Sequence, residues 1–176
     1  RTLPSNSSAS LVTSARFVTS PNYMYPNGGQ AAGFSRNGSQ GPKTALYWSE
    51  RNEGTANGPG TSLGFWKSPA NSNVQDVESE AKSINSRQWV VGWSKGPGNS
   101  RAVIRKGTGT NVSWLDLNDK HLVFGLGDPG TGGWSLLEAV AISQDDYVVG
   151  NGFRGTPTVL PSVERAFLLI KRNEGN

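Results

Sequence analysis

The sequence predicts an all-β protein built from three diverged copies of one antiparallel sheet of about 58 residues. Two observations carry this prediction. Gly33, Gly92 and Gly150 are 59 and 58 residues apart, and each follows a pair of small or apolar residues. The surrounding blocks are short, rich in Val, Ile, Trp and Tyr, and separated by Asn-Gly, Asp-Asp and Pro-Gly turn signals. This pattern is typical of strands and not of helices.

Further blocks recur in the same order around each glycine. Downstream, a basic residue precedes an Ala and an apolar run, in 43–48, 101–104 and 165–170. Upstream of the second and third glycines lies a block ending in Ile and a polar residue, in 81–85 and 139–143. We predict a hairpin that turns at Ser86 and Arg87, and a second one through the loop 95–99. The predicted organisation is an N-terminal segment 1–28, a degenerate repeat 29–80, and repeats 81–138 and 139–176.

Two features of the repeats have alternative interpretations. The recurrent glycines mark either a β-bulge or close approach of neighbouring sheets, or only the end of a strand. The stretch 10–19 alternates like a strand and is expected to lie outside the repeat register. It would close a ring within the chain, be donated to a neighbouring molecule, or form an ordinary edge strand of the first sheet.

The order of these blocks resembles the bacterial extracellular HAF repeats. The resemblance rests on Ala-x-Ser-Ile-Asn at 81–85, Trp-Val-Val-Gly-Trp-Ser at 89–94 and Arg-Ala-Val-Ile at 101–104, and it is best in the C-terminal copy. It covers roughly 30–170 and implies export, propeller-like blades and no established enzymatic activity. Closed propellers have about 4–8 blades, so three copies would need a longer chain, a ring of copies or a filament to cover their edges. A three-fold β-prism or β-trefoil is the alternative architecture.

Composition limits the location and the partners. The chain has 23 glycines, 10 prolines and 17% charged residues, which is closer to a secreted, turn-rich β protein than to a cytosolic helical enzyme. The resemblance to HAF repeats implies that the location is the bacterial cell exterior or surface. Cysteine is absent, which excludes disulfides and thiolate metal sites. No apolar run approaches the ~20 residues of a membrane helix, so we predict no membrane insertion. The net charge of +4 is spread without a basic block, so nucleic acid is not a predicted partner.

The sequence contains few residues that point to catalysis or metal binding. The one histidine, His121, has no second His or Cys to complete a transition-metal site, and no nucleophile elbow is present. Asp116, Asn118 and Asp119 carry alternating oxygens that would suit calcium, which needs about six to eight oxygen ligands, or that would cap turns. We therefore predict no enzyme and no cofactor other than calcium. Paired carboxylates for glycoside hydrolysis stay open, because only their separation in space defines them.

Basic residues flank the same hairpin in each copy, and we expect a folded repeat to present them at equivalent positions. They are Arg36 and Lys43, Lys95 and Arg101, and Arg154 and Arg165. Aromatic side chains such as Trp93 lie nearby in the sequence, so the pattern predicts a site for an acidic polysaccharide. The alternative is that the cations discourage edge pairing and the aromatics are core residues.

Three functional hypotheses result from these patterns. The first is a non-catalytic structural or adhesive repeat protein that joins copies of itself, or neighbours in a parent chain, into a ring or filament through open sheet edges. The second is a carbohydrate-binding module for acidic polysaccharide. The third is an extracellular glycan-cleaving enzyme.

Overall fold

A computed structural model describes residues 14–17, 30–36, 41–49, 61–71, 73–109, 111–128, 132–155 and 164–170. These residues form strands and turns and contain no helix, so the all-β prediction is confirmed. They form three antiparallel sheets, and none of the three closes into a barrel such as the alternative trefoil requires.

Each sheet is a simple meander in which consecutive strands are neighbours. The first contains β1 (Ser14–Phe17), β2 (Gln30–Arg36), β3 (Lys43–Ser49) and β4 (Thr61–Gly64). The second contains β5 (Glu78–Ile84), β6 (Trp89–Lys95), β7 (Ser100–Lys106) and β8 (Leu115–Asp116). The third contains β9 (Trp134–Ile142), β10 (Val148–Arg154) and β11 (Glu164–Leu169). One sheet therefore corresponds to one sequence copy.

The sheets begin earlier in the chain than the predicted repeat boundaries. The boundaries at 81 and 139 fall inside β5 and β9, because the first residues of β5 are polar, those of β9 are mixed polar and apolar, and the two sets share no repeat signal. The boundary at 29 likewise separates β1 from the sheet to which it belongs. Pairing, and not the conspicuous apolar blocks, thus defines the unit.

β1 occupies the position of a first strand in the first sheet. Ala15 pairs with Gly33, just as Ala81 pairs with Gly92 in the second sheet. The expectation that this segment lies outside the repeat register is wrong, and the observed arrangement is the ordinary edge strand. The rest of the stretch 10–19 lies outside the described residues.

The recurrent glycines lie where the first and second strands approach closely. A register shift accompanies both Gly92 and Gly150, so the predicted bulge is confirmed for these two sheets. A Cβ atom on Gly92 would lie 1.9 Å from the carbonyl oxygen of Glu80, and one on Gly150 would lie 2.0 Å from that of Glu138. Since real Cβ atoms do not approach backbone so closely, only glycine fits there.

The sheets stack face to face in a repeated way. The first strand of each later sheet lies over two strands of the preceding one: β5 packs on β2 and β3, and β9 packs on β6 and β7. Within β6, Val90 joins the core shared with the first sheet, and its neighbour Val91 joins the core shared with the third. Both are fully buried, and each such side chain contributes about 1.5–3 kcal/mol on burial. The middle sheet is therefore covered on both faces.

The hairpin turn of the second sheet is bonded to the hairpin turn of the third. Asn85, which is fully buried, closes its own turn by accepting the N–H groups of Arg87 and Trp89 at 3.1 and 3.0 Å. Its amide nitrogen donates to the carbonyl oxygen of Ser143 at 3.2 Å and to the carboxylate of Asp146 at 2.9 Å. One side chain thus shapes a turn and joins two sheets.

Candidate functional site

The basic residues predicted on the second strands occupy equivalent positions in only two of the three sheets. Arg36 and Lys95 each lie three residues after the repeated glycine, where the third sheet has Phe153. Arg154 is one residue further along and so points to the opposite side of its strand. The expectation of equivalent positions is therefore wrong for Arg154.

The cations of the third strands show the same partial agreement. Arg101 pairs with Ser94 and Arg165 with Gly152, which are equivalent positions of the second strands. In the first sheet Thr44 has this position, and Lys43 lies one residue before it. The sequence blocks align on their Ala residues, and the preceding basic residue differs by one position in the first copy.

Arg101 is held by carboxylates. Its Nε and Nη1 atoms donate to Asp76 at 3.0 Å and to Asp116 at 2.9 Å, and its guanidinium lies 4.1 Å from the ring centre of Trp66. Burial lowers the pKa of Arg101, but the bonds to Asp116 and Asp76 outweigh it and hold that pKa above its usual value. Its charge is thus compensated within the fold.

Lys43 belongs to a chain of ion pairs that crosses all three sheets. Its ammonium group binds the buried carboxylate of Glu80, which also binds Lys82 at 2.8 Å. Lys82 in turn binds Glu138 of the third sheet at 3.1 Å. Lys43 also lies 5.4 Å from the ring centre of Trp93, so this predicted lysine and aromatic residue are both engaged inside the fold. Lys95, Arg154 and Arg165 are the exposed members of the predicted set.

The position of Lys82 in this ion-pair chain predicts a pH dependence of stability. Burial lowers the pKa of Lys82, but the bonds to Glu80 and Glu138 outweigh it and raise that pKa above the ordinary 10.5. A raised pKa stabilises the fold below the unfolded value, and this stability is lost as the pH rises through the folded value. We expect the unfolding free energies of the wild type and of Lys82→Met to differ by a constant amount from neutral pH up to about pH 10 and to converge above it.

Urea denaturation at a series of pH values measures this difference. Lys82→Arg is the matched variant, because it keeps the charge and does not titrate below about pH 12. It should therefore retain its stability into the range where the wild type loses it. Identical pH profiles for all three proteins would contradict the role assigned to Lys82.

The residues predicted to bind calcium use their oxygens within the fold. Asp116 accepts Arg101 and the backbone N–H of Asn118, the latter at 2.9 Å. The side-chain amide of Asn118 makes two bonds with the backbone of Leu136, at 2.9 and 2.7 Å. Asp119 accepts the backbone N–H of His121 at 2.8 Å. Across the described ranges no three His, Cys, Asp or Glu residues form a group that would hold a metal ion.

Within the part of the chain that the structure describes, no sheet covers one face of the third sheet. Val149 and Leu168 pair across β10 and β11 and are 42% and 55% exposed. Their equivalents in the second sheet, Val91 and Ile104, are 0% and 5% exposed because the third sheet covers them. Strand alternation places the exposed Glu164 and Ala166 of β11 on the same side, and the exposed Tyr147 and Ile170, which directly flank the two strands, continue the alternation. We call this surface the open face, formed by Tyr147, Val149, Ala166, Leu168 and Ile170, with Glu164 at its end.

The comparisons with known proteins give no family for the chain. No family model matches it, and neither a curated protein nor a solved structure is found to be similar. The resemblance to HAF repeats therefore stays a prediction from the sequence blocks. Where the chain is described, no helix is long and apolar enough to span a membrane.

Sequence reasoning missed the open face although its residues were part of the repeat. Val149 and Leu168 align with buried residues of the second sheet, and that equivalence predicts burial for all copies. The missing information is which sheet ends the stack in the described structure. Only the three-dimensional arrangement provides it.

Proposed function

We propose that the chain is a non-catalytic structural repeat protein of the bacterial cell exterior that associates with a second copy of itself through the open face. The observation that carries the proposal is the exposure of Val149 and Leu168, whose equivalents in the second sheet are buried against the next sheet. An apolar patch of this kind marks an interaction surface in soluble proteins. The proposal retains the interpretation of the three sheets as propeller-like blades, which pack on one another face to face.

The first sheet, at the opposite end of the stack, favours a two-fold symmetric dimer over a head-to-tail assembly. Ala31, Leu46 and Trp48 form the outward cluster of the first sheet, and all three are already buried within one chain. A head-to-tail contact between the first and third sheets would need that cluster to be available. Packing of one open face on the open face of a second copy has no such requirement and gives a closed, isologous dimer.

The proposed location rests on the sequence. The composition, rich in Gly and Pro and low in charge, and the resemblance to HAF repeats both favour export. For the acidic-polysaccharide alternative, Lys95, Arg154 and Arg165 are the predicted cations that are exposed and would be available.

Sedimentation velocity from about 1 to 500 μM tests the association, since interfaces of modest area often bind in the micromolar range. We expect a concentration-dependent monomer–dimer equilibrium. The double variant Val149→Lys with Leu168→Lys should weaken it at least about 100-fold, because dimer formation would then bury ammonium groups without partners. Val77→Lys is the matched control, since Val77 lies outside the open face and is 54% exposed, close to the 55% of Leu168.

Either of two results would contradict the proposal. The wild type could stay monomeric over the whole range, or it could associate with equal affinity when the open face carries both lysines. Growth beyond a dimer into rings or filaments would retain the structural role and move the contact to other sheet edges.

A further inference from the structure

A groove lies at the outer margin of the first two sheets, and no residue of the ion-pair chain or of the open face lines it. It is formed by the segment 66–69, which follows β4, and by the segment 113–122, which contains β8. Its volume of about 610 Å³ lies within the range of about 300–1,000 Å³ that is typical of small-molecule sites. Prominent lining residues are Trp66, Pro69, Leu115, Asp119, His121 and Leu122.

The aromatic wall of the groove is held in place by the protein itself. The backbone N–H of Trp66 donates to the hydroxyl of Ser94 at 3.1 Å, and the guanidinium of Arg101 lies over its ring. Arg101 is fixed by Asp76 and Asp116. Because these contacts exist within the chain alone, a ligand that stacks on Trp66 would lose little affinity to ordering of the indole.

The deeper wall of the groove is rigid as well. Trp114 is buried, and its indole N–H donates to the carbonyl oxygens of Leu63 and Gly64 at 3.0 and 3.2 Å. The half-buried Leu122 and the partly exposed Leu115 extend this apolar surface. Trp66, Leu115 and Leu122 thus supply apolar surface to the lining of the groove.

The rim of the groove is polar and has no concentrated charge. Asp119 and His121 are exposed there, and Lys67 adds a cation. The carboxylate of Asp116 is compensated by Arg101 at 2.9 Å. The side chains that line the groove therefore offer both hydrogen-bond donors and hydrogen-bond acceptors. They do not include a cluster of cations that would bind sulfates or carboxylates.

We propose that this groove binds a neutral saccharide, with the C–H face of a pyranose ring stacked on Trp66 and its hydroxyl groups bonded to Asp119 and His121. A pyranose has an apolar face and a hydroxyl-bearing edge, which correspond to the apolar wall and the polar rim. Aromatic side chains with one apolar and one wet side are suited to such amphipathic ligands. The inference does not depend on self-association, because no residue of the open face lines the groove.

Titration of the whole chain with neutral tetrasaccharides tests the proposal. Cellotetraose, maltotetraose and chitotetraose are added to about 10 mM, which reveals sites with a dissociation constant near about 1 mM. We expect saturable amide shifts in NMR spectra, confined to 66–69 and 113–122, with at least one of the three. Trp66→Ala should weaken binding at least about tenfold, and Phe124→Ala is the aromatic control, since Phe124 is exposed and lies outside the groove.

A second variant separates a lost ligand contact from a disturbed fold, because Trp66 also contacts Arg101. His121 is exposed at the rim, so His121→Ala should weaken binding about threefold and leave the thermal stability unchanged. The proposal is overturned by the absence of saturable shifts with all three glycans, or by undiminished binding in Trp66→Ala. Binding that is lost at high salt would also overturn it, because that behaviour indicates a cationic site.

Discussion

The substitution Gly92→Ala is expected to lower the free energy of unfolding by about 3 kcal/mol, the upper end of the usual cost of overpacking. The new methyl group would lie 1.9 Å from the carbonyl oxygen of Glu80 and 3.1 Å from the Cα atom of Ala81. Both neighbours are backbone atoms, so no side-chain rotation relieves the clash. β5 would have to move away from β6, and this motion would disturb the packing of Ile84 against the first sheet.

Equilibrium urea unfolding of Gly92→Ala beside Gly98→Ala measures this effect. Gly98 lies in the loop between β6 and β7, and a Cβ atom there would meet nothing within 4 Å. We therefore expect the control to remain within about 0.5 kcal/mol of the wild type. Equal stabilities of the two variants would show that the bulge tolerates a side chain and that the repeated glycine has another cause.

The second large effect is expected for Asn85→Ala, at about 2–4 kcal/mol. The substitution removes the acceptor of two backbone N–H groups, from Arg87 and Trp89, and the donor to Ser143 and Asp146. Because Asn85 is fully buried, water does not replace these bonds without opening the contact between the two turns. The expected loss of stability therefore has two sources, the altered shape of one turn and the loss of its hydrogen bonds to the next turn.

Ser143→Ala provides a control at the equivalent position of the third sheet. The hydroxyl of Ser143 also accepts two backbone N–H groups, from Asp145 and Tyr147, at 3.2 and 3.0 Å. Ser143 is exposed, so solvent compensates and we expect a loss of about 1 kcal/mol or less. Thermal unfolding of both variants compares them. Equal losses would mean that the bond from Asn85 to the next turn contributes nothing measurable.

Periodicity in the sequence predicted the sheets, because identical local blocks form identical hairpins. The glycine spacing identified the second strands, and the expected bulge is present at Gly92 and Gly150. The first strand of the first sheet was misjudged because Ser14–Phe17 lacks the Ile that marks the block at 81–85. Strand pairing depends on the backbone, and its register is therefore retained when the side-chain signal has diverged.

The contacts of the predicted site residues could not be predicted from the sequence, for a physical reason. Lys43, Arg101 and Asp116 resemble surface ligands when they are considered alone, and their partners are distant in sequence. The carboxylate that binds Lys43 is 37 residues away in the chain. The groove likewise combines two connecting segments that share no motif. Only the stacking of the sheets brings these groups together, and the local spacing of residues in the sequence does not predict that stacking.

The repeated packing gives the molecule a polarity. The first strand of each later sheet packs on one face of the preceding sheet. The two faces of the middle sheet therefore differ: the first strand of the next sheet covers one, and the other faces the preceding sheet. In the second sheet the bonds of Asn85 run the same way, toward the sheet that follows. The packing contacts and ion pairs described above join adjacent sheets, as in solenoid proteins. A substitution on the face that the next sheet covers therefore affects that next sheet first. The contact between each pair of adjacent sheets is thus free to diverge in sequence independently of the other contact.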